Sequence, residues 1–307
     1  MLFSHEFMNR EIVAAIVISL IYLFACYAWI GLRAEHIGMT VLCNVLYFAS
    51  IGTRKFILGF FVFVVFWIIF DSMKGFPNYD FNEVHIKSLY DAELRFFGIS
   101  LNDETIAPGK YLQLYQNTGL DILCGIFYLC WIPLPLAFAV YLFYTNRNQF
   151  LQFSLTFLLV NIIGFILYYI YPAAPPWYVE AYGFEFSPAT QGSAAALLRF
   201  DHFFNLPIFE SIYSKSSNVF AAMPSLHAAY PLIVLYYGLK NRMGLINVIF
   251  TLVTAGIWLS AVYTSHHYVL DVLVGLICAG TGIFLFNYFL TLSWTREWFY
   301  KYLKVIA

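Results

Sequence analysis

The sequence predicts an all-α polytopic membrane protein, and three observations carry that fold class. Of the 307 residues, 62% are hydrophobic and 21% aromatic, while only 11% are charged, a composition far from that of soluble globular domains. Apolar runs near the ~20 residues that a bilayer-crossing helix needs recur along the chain. Lysine and arginine gather in alternate connections between those runs, as the positive-inside rule expects of a membrane protein.

Taken in order, the runs cover residues 12–32, 37–53, 56–70, 120–144, 150–171, 224–240, 243–263 and 267–290, giving about eight spans. The first follows Arg10, is longer than a signal-peptide core and lacks an A-x-A-like cleavage site, so it reads as a retained anchor. Arg54 and Lys55 divide the next apolar stretch, so residues 37–70 make either two crossings or a re-entrant hairpin. The connection 71–119 contains PNYDFNEVHIKSLYDAELRFFGIS, whose loose helical spacing of apolar residues predicts an amphipathic helix on the membrane surface. The connection 172–222 opens on a proline-rich stretch around APPWY, too rich in proline for helix. Four segments follow: N-terminal spans (1–70), a loop with an interfacial helix (71–119), a core that includes the 172–222 loop (120–290), and a tail (291–307).

Across an eight-span arrangement Arg10, Arg54, Lys55, Arg147, Lys240, Arg242, Arg296, Lys301 and Lys304 share one side, and only Arg33 marks the short loop opposite. Both termini are then cytoplasmic and both long loops exoplasmic. A net charge of -1 and the lack of a long basic run argue against nucleic acid as a partner. Cys26, Cys43, Cys124, Cys130 and Cys278 all fall in apolar runs and imply neither a disulfide framework nor a CxxC metal site.

Ionisable groups at membrane depth are costly, so each is a candidate for function. His5, His36, His85 and His202 stand singly and read as structural hydrogen-bonders. Two clusters differ: Pro224, Ser225, Leu226 and His227 at the start of the sixth run, and SAVYTSHHYVLDVLVG (260–275) between the seventh and eighth. Both fall at the same side of the bilayer. His267 and Asp271 are four apart, which on a helix stacks them on one face, whereas His266 points elsewhere. A carboxylate that holds the Nδ1 proton leaves Nε2 free as a nucleophile, with His227 as acid and base. The helix start at Pro224 to His227 offers free N–H groups to a phosphate oxygen. The same three residues could in principle bind zinc, although no spacing requires it.

At these residues the chain resembles the type 2 phosphatidic acid phosphatase superfamily, whose P-S-G-H and S-R-x5-H-x3-D motifs appear as Pro224-Ser225-Leu226-His227 and as Ser260-Ala261 followed by His267 and Asp271. PAAPPWY (172–178), LLRFD (197–201), MPSLHA (223–228) and SHHYVLD (265–271) resemble its inositol phosphorylceramide synthase branch. The resemblance implies a six-helix core over roughly residues 120–290. It also implies a phosphotransferase that moves a phosphoinositol-like head group from a phospholipid donor to a ceramide-like acceptor. His267 would be the nucleophile that becomes phosphohistidine, Asp271 its orienter, His227 the proton donor and Ser225 a phosphate holder, with no metal or cofactor. Two departures stand out: no K-x6-R-P motif precedes Pro224, and Ala261 replaces the arginine of the S-R pair. Arg199 is the candidate to meet phosphate charge instead, with Lys215 a second choice. His266 and Trp177 complete the substrate-contacting set, Trp177 shaping the lipid entrance or simply a rigid turn. The same residues would serve a lipid phosphatase if water replaced the alcohol, and a transporter or scaffold with structural histidines is the reading from another class. The expected location is a bacterial inner membrane, or the Golgi membrane for a eukaryotic chain.

Overall fold

The computed structural model describes residues 5–215 and 218–307, with side chains from residue 10 onward; the His5 side chain lies outside the described residues. The chain is all-α and polytopic. The N-terminal part is α1 (His5–Trp29), α2 (Ala34–Ala49) and α3 (Ile51–Ser72). Arg54 and Lys55 do not interrupt a helix. They sit in the first turn of α3, and the break falls at Ser50, whose side chain accepts the Thr53 N–H as an N-cap. At the far end Asp71 of α3 takes Arg33, His36 (2.8 Å) and Lys74 (3.2 Å). Arg33, a topology marker in the sequence, thus ties the start of α2 to the end of α3.

The connection that follows holds α4 (Lys87–Phe97), the hairpin β1 (Ile99–Leu101) and β2 (Glu104–Ile106), and α5 (Pro108–Gln113). Ile99 pairs with Ile106, and Asn102 and Asp103 carry the positive φ values a two-residue turn requires. The apolar run 120–144 is two helices, α6 (Thr118–Leu129) and α7 (Pro133–Thr145), bent by 41° at the break. Pro133 and Pro135 cannot donate to a continuing helix. Next come α8 (Arg147–Ile170), α9 (Pro176–Tyr182), α10 (Leu198–Phe204), α11 (Ile208–Tyr213), α12 (Leu226–Lys240), α13 (Ile246–Tyr263), α14 (Val269–Phe289) and α15 (Ser293–Ile306). The expectation that APPWY is too proline-rich for helix is overturned: Pro176 starts α9, because at the first helical position no N–H is missed.

Among the described residues five helices are long and apolar enough to cross a membrane, or six if the bent pair counts as one. Two runs read as spans fall short of ~20 residues: α2 has 16 and α12 has 15. The centre of the bundle is α12, which packs against α7, α8, α13 and α14. Phe150, Phe153, Phe157, Tyr230, Ile233, Val234 and Tyr237 form its buried core. The Tyr237 hydroxyl meets Thr156 at 2.8 Å and that of Tyr230 donates to Asn161 at 2.5 Å, so these two core hydroxyls are partnered where lipid offers none.

Candidate active site

Three segments meet at one end of the bundle: the turn into α12, the turn from α13 into α14, and the bend between α6 and α7. Ser225 opens α12 as its N-cap, its Oγ accepting the Ala228 N–H at 3.3 Å. Its own N–H donates to the Asp271 carbonyl at 2.9 Å. A Cβ at Gly275 would collide with the Ser225 carbonyl, so glycine at this position lets α14 close onto the start of α12.

After α13, Ser265 adopts a left-handed φ of 58°, the backbone form that commonly ends a helix. The His266 and His267 amides then both bond the Ala261 carbonyl, at 3.1 and 3.0 Å. The His266 ring lies 5.4 Å from Tyr128 and 4.4 Å from Tyr213, centroid to centroid. Burial, with the His267 ring beside it, pulls the His266 pKa well below the usual imidazole value. His267 turns the other way: its Nε2 is 3.0 Å from His227 Nδ1, and its Nδ1 is 3.4 Å from Asp271 Oδ2.

The route to that geometry differs from the sequence expectation. His267 precedes α14 instead of riding on it, and Asp271 stands in the helix's first turn with Oδ2 accepting the Tyr268 N–H at 2.8 Å. The loop folds the imidazole down onto a helix-capping carboxylate. His267 and Asp271 are 5% and 0% exposed, so little water competes for the contact. Among the described residues no group of three His, Cys, Asp or Glu side chains is placed to hold a metal ion.

The other sequence candidates are less central. Arg199, on α10, donates Nε–H to Asp121 at 2.7 Å, and Tyr263 donates to the same oxygen at 2.7 Å. Lys215 is largely exposed, 3.9 Å from Glu35. Trp177 donates its backbone N–H to the Ser265 carbonyl at 2.9 Å, so the APPWY segment clips directly onto the histidine turn.

Three contributors escape sequence reading. Trp131, in the bend between α6 and α7, lies 4.3 Å from the His227 ring, edge to face; the paired prolines were its signal. Lys110, exposed on α5, lines the same cavity of about 240 Å³ as His267. Glu93, fully buried on α4, accepts the Val269 N–H at 2.9 Å and the Leu270 N–H at 3.1 Å. It thereby caps the helix that carries Asp271.

Burial raises the Glu93 pKa above its ordinary 4.5, and the two N–H bonds oppose that rise. The folded protein thus holds this proton more tightly than the unfolded chain. The associated stability is full below ~4.5 and is lost as pH rises through the raised folded value. Relative to wild type, Glu93→Gln should therefore gain stability as pH rises from 5 to 8, read as thermal unfolding in detergent. Because glutamine accepts at one atom only, kcat should still fall about tenfold. A pH-independent stability difference would disprove the raised Glu93 pKa.

A family model described as the PAP2 superfamily matches residues 105–285. The phosphoinositol dihydroceramide synthase of Bacteroides thetaiotaomicron is 42% identical over 301 residues, spanning 97% of this chain and 99% of that protein. The inositol phosphorylceramide synthase catalytic subunit of Schizosaccharomyces pombe is 27% identical over 76% of this chain and 54% of its own length. The inositol phosphorylceramide synthase of Candida albicans is 30% identical over 56% of this chain and 38% of its own length. No solved structure matches significantly.

Proposed function

Since the chain belongs to the PAP2 superfamily, on its inositol phosphorylceramide synthase branch, we propose that this lipid phosphotransferase moves a phosphoinositol-like head group from a glycerophospholipid to a ceramide-like alcohol. The proposed route runs through phosphohistidine. The observation that carries it is the aligned set His227, His267 and Asp271, with 3.0 and 3.4 Å between successive partners.

Asp271 holds the Nδ1 proton of His267, which leaves the Nε2 lone pair for phosphorus. A phosphoryl group coming between the two rings replaces their hydrogen bond. Nε2 attacks, the bond from phosphorus to the glycerol oxygen breaks, and His227, protonated once the anionic phosphate lies beside it, gives a proton to that oxygen. Diacylglycerol leaves. The acceptor's primary hydroxyl then attacks phosphorus as His227 takes back the proton, and the P–N bond breaks. One imidazole acts as acid and then as base.

Phosphate oxygens need positive charge and N–H donors around them. Lys110 is the cation we assign to this task, because it shares a cavity with His267, whereas Arg199 is engaged by Asp121. It falls outside a catalytic core drawn at 120–290, yet inside the range matched to the family. Ser225 and the start of α12 lend N–H groups. The charge asymmetry of the loops supports an exoplasmic site with cytoplasmic termini, and the Bacteroides relative supports a bacterial inner membrane.

The test is purified protein in vesicles with head-group-labelled phosphatidylinositol and ceramide. The expected product is ceramide carrying the labelled head group. Release of free inositol phosphate alone would make the protein a hydrolase, and passage of lipid without chemistry would make it a transporter.

A further inference from the structure

Beside the His267 cavity lies a second one, of about 370 Å³, walled by Gln113, Trp177, Glu180, Ser193, Ala196 and Arg199 among others. Glu180 also lines the His267 cavity, so one carboxylate borders both spaces. The two cavities share a rim on α9. That rim is fixed: Ser265 Oγ donates to Glu180 Oε1 at 2.9 Å, and Gln113 Nε2 donates to the same oxygen at 3.2 Å. Arg199 Nη2 is buried and has no hydrogen-bond partner.

We propose that this second cavity is the subsite for the donor's head group, built for an uncharged polyhydroxylated ring, and that Glu180 selects it. The inference rests on the reading of His267 as the group that receives phosphorus. Its own support is the chemistry of the walls. A carboxylate accepts from adjacent hydroxyls, while a guanidinium N–H and a side-chain amide donate to them. The indole of Trp177 offers an apolar face to ring C–H groups. An ammonium pairs with Glu180 but leaves the Arg199 N–H unmatched, and an added anion pairs with Arg199 but stands beside the Glu180 carboxylate. A neutral ring with many hydroxyls satisfies donors and acceptors together. A site built to hydrogen-bond hydroxyls discriminates against ligands that lack them, here because the buried Arg199 Nη2 is then left unpaired.

The experiment measures kcat/KM in vesicles containing ceramide with either phosphatidylinositol or phosphatidylglycerol as donor. Wild type, Glu180→Gln and Ala196→Phe are compared. Wild type should favour phosphatidylinositol at least about tenfold. Glu180→Gln loses the charged acceptor yet can still accept from Ser265, and Ala196→Phe fills the cavity from another wall. Both should bring the preference to within about threefold while phosphatidylglycerol turnover persists, which also demonstrates a folded enzyme. An unchanged preference in the two variants would overturn the proposal. So would an equal loss with both donors, which would make Glu180 a mere support for the histidine turn. A wild type that transfers from neither donor would instead remove the phosphotransfer reading, and the subsite with it.

Discussion

His267→Ala should lower transfer by at least about 10⁴-fold and leave no covalent phosphate on the protein. On the proposed route, removing the nucleophile abolishes both steps, and what remains comes from binding and electrostatics alone. The substitution removes a ring that is nearly buried yet forms no packed core, since its nitrogens face His227 and Asp271, so the fold should survive. The measurement is trapping of head-group label in an acid-labile, base-stable form during turnover. His266→Ala provides the contrast: its ring points at Tyr128 and Tyr213, and label should still appear. Label that persists in His267→Ala, or vanishes only in His266→Ala, would reassign the nucleophile.

Lys110→Met should lower kcat by about 10² to 10³, the range found when one donor that stabilises transition-state charge is removed. Lys110 is exposed and makes no ion pair among the described residues, so stability should stay within about 0.5 kcal/mol. That separation lets the kinetics be read as chemistry. Lys110→Arg should recover part of the loss, since it keeps the charge but alters its geometry. The competing assignment gives a clear opposite result. If Arg199→Ala abolished turnover while Lys110→Met behaved as wild type, the phosphate would belong to Arg199.

Hydropathy and motif spacing are local properties, and the features they govern were legible. The all-α membrane class, the helix start at Pro224 to His227 and the grouping of His227 with His267 and Asp271 all follow from short stretches of sequence. Long-range partners were not legible. Glu93 and Val269 are 176 residues apart, and an acid on a surface-type helix carries no mark of the helix it caps. Lys110 hid in a stretch read as connection. Proline was over-read at α9, where it starts a helix, and under-read between α6 and α7, where the bend brings Trp131 to His227. Nothing near Arg199 in the sequence marked its partner, Asp121, which lies 78 positions away. Spacing suggested His267 and Asp271 on one helical face, but helix α14 starts only at Val269; the contact survives because a turn can bring the same two groups together.

The clasp of α14 onto the start of α12 at Gly275 and Ser225 has a kinetic implication. Close-packed backbone seams do not shear smoothly, so the two halves of the reactive centre behave as a rigid anvil. On the proposed two-step route substrates do the travelling: one lipid arrives, surrenders its head and departs before another takes its berth. Turnover at low lipid density should then track lateral supply within the leaflet, and thicker or more viscous bilayers should slow it without altering the bond-making step.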